Sequence, residues 1–268
     1  MNYWKQSKDN IYVAAHRGWC EKYPENTVEA FRAALEIGVD QIETDVRVSK
    51  DGELVLIHDE TVDRTTLSTG KVCDYTLAEL RELDAGSKKG DAFRGVKIPT
   101  LRELFELVKD HPTITLDIEL KEYPTEGWEE VAYDACDRTV AMVEEYGFGD
   151  RVVFNTFSGK LHEYIQDKYK GKYRQHVYFP IHFLGKVTRD PYDYAYCTCM
   201  FASFWSEYNM ASPVNFAQME KRGVEPWAGA GVRDGAGVEE AIRCGATLIT
   251  CNNPDVILRE LRLRGKHE

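Results

Sequence analysis

The sequence has no excess of positive charge: 34 Lys and Arg face 45 Asp and Glu, for a formal net charge of −11. Sequence-independent nucleic-acid binding needs a basic surface, so the composition argues against nucleic acid as a partner. A small phosphate ligand remains possible, since local cations outweigh the overall balance. There is also no uninterrupted apolar stretch of about 18 residues, the length a membrane-crossing helix requires, so no stable membrane insertion is expected. The opening segment Met1 to Asn10 is polar with a lone Trp4 and has no apolar centre resembling a secretion signal. Seven cysteines, at positions 20, 73, 136, 197, 199, 244 and 251, are odd in number and form no regular framework. That pattern fits a reducing compartment better than a disulfide scaffold. A soluble, cytoplasmic protein is the expectation. Internal repeats and low-complexity tracts are absent too.

What the chain does have is length and alternation. Its 268 residues, 43% hydrophobic, suit one large α/β domain with a sizeable core. Short β-like runs at 11–16, 41–47, 114–120, 151–155, 175–179, 196–201, 224–228 and 247–251 alternate with amphipathic helical stretches. The helical patterns lie near 27–37, 100–109, 129–146, 159–168, 214–222, 236–244 and 254–263; the stretch 184–193 fits neither pattern clearly. Thr27 follows Pro24, Glu25 and Asn26, a cap-forming start, and Gly38, Gly223 and Gly245 each follow a helical run. Eight parallel strands with intervening helices predict a (β/α)8 TIM barrel. The rival, a doubly wound open sheet, wants a glycine-rich phosphate turn after the first strand, and His16-Arg17-Gly18-Trp19 is not one.

One further strand, 54–58, breaks the alternation. Only Ser49-Lys50-Asp51-Gly52-Glu53 separates it from the second strand, and Asp-Gly signals a hairpin, so it reads as an antiparallel return. Such a return descends from above the strand ends and leaves His58 near the carboxyl end of the barrel. Residues 59–99 then form a polar insertion containing Gly70, Gly86, Gly90 and Gly95, with one helical patch near 77–83. It reads either as a small subdomain over the barrel mouth or as irregular loop within a single domain spanning 1–268.

The chemistry sits in the strands. Glu43 and Asp45 lie two apart in the second strand and project in parallel, while Asp117, Glu119 and Lys121 share one face of the third stave. Several acids on an inward face are costly unless a cation neutralises them. Glu43, Asp45 and Glu119 are therefore candidate ligands for a hard divalent metal, Mg2+ or Ca2+. Simple ion pairing with Arg47 or Lys121 is the competing account. His16 ends the first strand and His58 ends the return. A single histidine at a strand end is usually structural, whereas two beside the acids suit general acid–base work near neutral pH. Arg17 and Lys121 supply fixed positive charge for a phosphate.

These residues belong to an ordered series of motifs. His16-Arg17-Gly18, Pro24-Glu25-Asn26-Thr27, Glu43-Thr44-Asp45-Val46, Asp51-Gly52, His58-Asp59 and Arg64-Thr65-Thr66 come first. Leu83-Asp84-Ala85-Gly86, Ile98-Pro99-Thr100-Leu101 and Ile118-Glu119-Leu120-Lys121 follow. Across the first 121 residues the chain resembles the glycerophosphodiester phosphodiesterase family. The resemblance implies a barrel of the phosphatidylinositol phospholipase C-like type, a bound divalent cation, and hydrolysis of glycerophosphodiesters to glycerol 3-phosphate and an alcohol. By position it implies His16 and His58 as catalytic, Glu43, Asp45 and Glu119 as metal ligands, and Arg17 and Lys121 as phosphate-holding residues. The attacking group is either water or the substrate's neighbouring hydroxyl, through a cyclic phosphate.

The second half departs from the family's pattern. Where the family often carries a Trp-Thr-Val-Asn-like run on the seventh stave, this chain has Trp227-Ala228-Gly229-Ala230-Gly231. Trp227 keeps the aromatic and is a candidate substrate contact. On the eighth stave Thr250-Cys251-Asn252-Asn253-Pro254-Asp255 replaces the usual acid with Cys251 and adds a residue. The aromatics Tyr178, Phe179, Phe183, Phe201, Phe204 and Trp205 gather near the ends of the fifth and sixth staves, as core or as an apolar substrate wall. The expected partner is a small glycerophosphodiester. A lysophospholipase D-like lipid phosphodiesterase and an inactive phosphate-ligand binding protein are the alternatives.

Overall fold

Alternating apolar residues in short runs do set the strands. A computed structural model of the chain describes residues 3–201, 211–229 and 231–268. Nine strands occur in chain order: β1 (Tyr12–His16), β2 (Gln41–Val48), β3 (Leu54–Leu56), β4 (Thr115–Leu120), β5 (Val152–Asn155), β6 (Arg174–Tyr178), β7 (Cys197–Met200), β8 (Glu225–Ala228) and β9 (Leu248–Cys251). All but β3 are parallel, and the β1–β2 pairing closes the order β1-β9-β8-β7-β6-β5-β4-β2 into a ring. The protein is a (β/α)8 barrel with one antiparallel extra strand. That strand is the hairpin return: β3 pairs β2 through Val46↔Leu56, Arg47↔Val55 and Val48↔Leu54.

Helices α1 (Val28–Glu36), α2 (Leu77–Glu82), α3 (Leu101–Val108), α4 (Glu129–Glu145), α5 (Gly159–Lys168), α6 (Pro213–Lys221), α7 (Gly235–Cys244) and α8 (Pro254–Leu263) accompany the strands. Their starts are fixed by side-chain caps. Thr27 accepts from the Ala30 amide, and Thr100 forms a reciprocal capping box with Glu103. The apolar faces pack onto the outward side of the strands, where Phe31, Leu101, Leu104 and Phe105 are fully buried. The stretch without clear periodicity contains two single turns of 3-10 helix, Ile181–Leu184 and Pro191–Asp193.

The inward faces form layers, as the period of two requires. A lower layer holds Tyr12, Ala14, Val153, Cys197, Trp227 and Leu248, with Trp4 packed against it. The Trp4 ring stacks on Trp227 at a centroid distance of 6.4 Å. Acids, histidines and amides occupy the layers toward the carboxyl ends of the strands.

Residues 59–99 have their own apolar cluster, in which Val62, Val72, Leu80 and Ile98 pack with Val55 and Ile57 of the return. Helix α2 in this insertion starts with a capping box between Thr76 and Glu79. Gly86 is required by packing: a Cβ there would lie 1.8 Å from the Phe93 carbonyl oxygen. Val55 also bridges Thr100, tying the insertion's end to the start of α3.

Candidate active site

The parallel register of β2 and β4 sets Asp45 beside Glu119 and Glu43 beside Asp117. One carboxylate oxygen from each of Glu43, Asp45 and Glu119 can be chosen so that all lie within 4.8 Å of one another. The three are almost completely buried. Two cations meet them from the strand ends. Lys121 follows β4 directly, and its Nζ lies 2.5 Å from Glu119 Oε1 and 3.2 Å from Asp45 Oδ1. Arg17 donates its backbone N–H to Glu43 Oε2 at 2.8 Å and sets its Nε 3.2 Å from Asp45 Oδ2. Arg47, weighed as another partner for the acids, turns away: its Nε donates to the His58 carbonyl at 3.0 Å.

Three carboxylates against two fixed cations leave one negative charge uncompensated in a buried cluster. The electrostatics reflect that imbalance. Burial, then the neighbouring Asp45, raise Glu43 well above the usual carboxylate range. Burial also raises Glu119, against the pull of Lys121. Asp45 moves the other way, because Lys121 and Arg17 outweigh its burial and hold it ionised. Lys121 is raised despite its own burial, owing to Glu119 and Asp45. A set of convergent carboxylate oxygens with surplus negative charge fits a hard divalent cation, and the donors do not select between Mg2+ and Ca2+.

The backbone that delivers these groups is locally strained. Arg17 adopts a left-handed φ of 56° and Gly18 a φ of 77°. At Gly18 an added Cβ would lie 2.7 Å from the Ala30 carbonyl carbon of α1, so only glycine allows the helix this close. This turn points the Arg17 N–H at Glu43.

Both histidines lie at the rim. His16 pairs with Glu43 in the strand register, and its Nε2 is 3.9 Å from Glu43 Oε2. On the other side of the ring, Nδ1 hydrogen bonds the Asn252 side-chain oxygen at 2.6 Å. Burial and the Arg17 charge push His16 down to about 4, leaving a neutral imidazole at physiological pH. His58 Nδ1 donates to Asp59 Oδ1 at 2.6 Å. Burial lowers His58 as well, while Asp45 and Asp59 work to keep its proton.

Several residues that support this cluster carried no assigned role in the sequence. Asn26, with φ of 53°, donates to Asp45 Oδ2 at 2.7 Å and accepts from the Thr44 hydroxyl at 2.8 Å. Glu25 accepts from Arg17 Nη1 at 2.9 Å and from both Arg64 terminal nitrogens, at 2.6 and 2.8 Å. The same Arg64 donates through Nε to Asp59 Oδ2 at 2.6 Å. One guanidinium from the insertion therefore braces the carboxylates that partner Arg17 and His58. Asn in a left-handed position and an Arg after His-Asp were the only local signals; their partners are too distant in sequence to be seen.

Beneath the acids, Asp117 Oδ2 lies 2.8 Å from His176 Nδ1 in a fully buried pair. Asn155 Nδ2 donates to the Tyr178 hydroxyl at 2.9 Å. Tyr178 is stacked between Phe157 at 3.8 Å and Phe201 at 5.7 Å, an aromatic wall on the β5–β7 side of the mouth. Phe179 instead faces Tyr192, and Phe183 packs edge-on to Phe201. Phe204 and Trp205 lie outside the described residues. Trp227 is not at the wall: it is 0% exposed in the lower layer, edge-on to His176 and stacked on Trp4. The register explains this, since Trp227 pairs with Leu248 two residues below Thr250. Cys197 and Cys199 are buried free thiols, as all seven cysteines are free.

Among the described residues no helix is long and apolar enough to cross a membrane. A sequence model of the glycerophosphoryl diester phosphodiesterase family matches residues 16–256. A glycerophosphodiester phosphodiesterase of Caldanaerobacter subterraneus subsp. tengcongensis is 47% identical over 150 residues, covering 54% of this chain and 58% of that one. The alignments thus span only about half the length of the sequence relatives. Among solved structures, a glycerophosphodiester phosphodiesterase from Agrobacterium tumefaciens superposes with a TM-score of 0.74 at 28% identity, over 92% of this chain and 98% of that one. An Oleispira antarctica phosphodiesterase, solved in complex with the product sn-glycerol-3-phosphate, shares the fold with a TM-score of 0.77 at 23% identity, over 94% and 97%. With its barrel, its first-half motif series and a family match running from His16 on the first strand to the start of the last helix, the chain belongs to the glycerophosphoryl diester phosphodiesterase family.

Proposed function

We propose that the protein is a divalent-cation-dependent phosphodiesterase that hydrolyses glycerophosphodiesters to glycerol 3-phosphate and an alcohol. The observation that carries this reading is the convergence of Glu43, Asp45 and Glu119 within 4.8 Å, with His16 Nε2 3.9 Å from Glu43 and His58 near enough to feel the Asp45 charge. Those three residues would hold the cation. When bound, it supplies Lewis-acid polarisation of the non-bridging phosphoryl oxygens. Arg17 and Lys121 stay ionised and fix the phosphoryl group by charge, and they are already oriented before substrate arrives.

The two histidines differ in their partners, and that difference supports separate roles. His16 gives its Nδ1–H to a neutral amide, so Nε2 keeps a lone pair aimed into the site. It would take the proton of the attacking oxygen, whether from water or from the substrate's own hydroxyl. His58 gives its Nδ1–H to a carboxylate, which offsets part of the burial that lowers it. It would protonate the departing alkoxide as the P–O bond breaks.

The test is product analysis with a panel of glycerophosphodiesters. Glycerol 3-phosphate should be released, and His16→Ala and His58→Ala should each lower kcat by about 100-fold or more. Full turnover by either variant refutes the assigned mechanism. Binding of glycerol 3-phosphate with no hydrolysis of any diester would favour an inactive binding protein. The stacked Phe157, Tyr178 and Phe201 support a second reading, in which an acyl chain rests on that wall as in a lysophospholipase D. Choline release from lysophosphatidylcholine tests it, and absence of activity on that lipid removes it.

A further inference from the structure

A second opening lies beside the acids, over the ends of β2 and β4. It is a cleft of about 420 Å³ between the insertion, which supplies Glu60, Lys71 and Cys73, and the segment after β4, which supplies Glu122, Tyr123 and Trp128. Arg47 and Lys121 also line it, and through them it adjoins the acids and the His58 backbone. A phosphate seated between Arg17 and Lys121 would send one ester arm past Lys121 into this space.

The charges in the cleft decide what that arm can be. Three cations line it, and each is engaged: Lys121 with Glu119 and Asp45, Lys71 with Glu60, and Arg47 with Glu122. Both carboxylates are also engaged. Glu60 pairs with Lys71 at 2.7 Å. Glu122 Oε2 accepts from Trp128 Nε1 at 2.8 Å, and its Oε1 lies 3.6 Å from Arg47 Nη1. A quaternary ammonium would find aromatic rings but no free carboxylate. Hydroxyl groups can do both things the cleft offers: accept from Lys71 and Arg47, and donate to the remaining lone pairs of Glu60 and Glu122. The Trp128 ring, pinned through its N–H, offers a flat face to the C–H groups of a ring or chain. Its orientation is already fixed.

We propose that this cleft is the subsite for the departing alcohol and that it takes a neutral polyol, of glycerol to inositol size, in preference to choline. The proposal rests on the phosphodiesterase reading above and adds the class of leaving group.

The experiment compares kcat/KM for glycerophosphoinositol, glycerophosphoglycerol, glycerophosphocholine and the methyl ester of glycerol 3-phosphate. The wild type should prefer the polyol diesters over the choline diester by about 10-fold or more. Trp128→Ala and Lys71→Met should each erase that preference through KM and leave the methyl ester unaffected. Equal or better turnover of the choline diester, or an equal loss on all four substrates, overturns the proposal while leaving the phosphodiesterase reading intact. Failure of the wild type to hydrolyse any diester removes both. A readout independent of turnover uses Cys73 in the cleft. In the His58→Ala protein, glycerophosphoinositol should slow alkylation of Cys73, followed by mass spectrometry, and glycerophosphocholine should not. No protection by either ester, or equal protection by both, again counts against the polyol subsite.

Discussion

Asn26 shows how a single buried residue can hold a site together through its hydrogen bonds. Its amide nitrogen and oxygen satisfy Asp45, the Thr44 hydroxyl and the Asp45 amide, all of them buried. Replacing it by alanine leaves those groups without partners and removes a residue suited to a left-handed φ. Asn26→Ala should therefore lose about 1–3 kcal/mol of stability in a urea titration and bind the divalent cation about 10–100-fold more weakly. Unchanged values for both would show that Asp45 is positioned by other contacts. Asn26 stands in the Pro-Glu-Asn-Thr motif, so its presence was legible; its target, nineteen positions on, was not. The histidines and acids were easier to see, because strand alternation alone gives the facing direction of Glu43, Asp45 and Glu119. Trp227 shows the limit of that rule: alternation gives its inward direction but not its depth, and depth places it below the mouth.

A second residue-scale consequence concerns acid. His162 on α5 is fully buried, with ring nitrogens near Gln175 Oε1 at 2.8 Å and the Thr156 carbonyl at 3.0 Å. Burial pushes it from an ordinary 6.5 down to about 4. Between those values the unfolded chain binds the proton and the folded chain does not, so stability falls as the pH drops through that window. The full loss is on the order of 3 kcal/mol. Urea midpoints measured against pH should show a steeper acid decline for wild type than for His162→Gln. Parallel curves would mean that His162 accepts a proton in the folded state.

At the scale of elements, the hairpin return and its insertion connect the fold to the chemistry. The Asp51-Gly52 turn reverses the chain, β3 brings His58 to the rim, and the following insertion returns Arg64 to clamp Glu25 and Asp59. Arg64→Met should lower kcat about 10-fold with little change in KM, since it frees the orientation of His58 and Arg17 without removing either. Arg64→Lys cannot span both carboxylates with a planar fork and should rescue only part of the loss. An effect confined to KM would place Arg64 in direct contact with substrate instead. The hairpin was legible because Asp-Gly between apolar runs has a local meaning. The clamp was not, because an exposed Arg in a polar insertion has the same sequence signature whether it is solvated or paired. The stretch 184–193 was illegible for a different reason: it runs from the end of one short 3-10 turn into another, and such turns have no period long enough to detect.

For the molecule as a whole, the barrel gathers a small number of strand ends around one charged centre and leaves two unlike walls beside it. The overall charge of −11 does not describe that centre, where Arg17 and Lys121 face three acids and a cleft beside them is lined by ion pairs. The closed ring was legible from eight repeats of strand and helix with helix-ending glycines. The layering of residues inside it depends on register between distant strands, which single-sequence patterns do not encode. On the proposed mechanism a divalent cation completes the buried, uncompensated negative charge of Glu43, Asp45 and Glu119. Calorimetric titration of the chelator-treated protein with Mg2+ and Ca2+, beside Asp45→Asn, tests it most directly. One ion should bind per chain, stabilise the fold by about 2.7 kcal/mol at a free concentration 100 times its Kd, and fail to bind measurably to the variant. Equal binding by wild type and Asp45→Asn, or no binding by either, would contradict it.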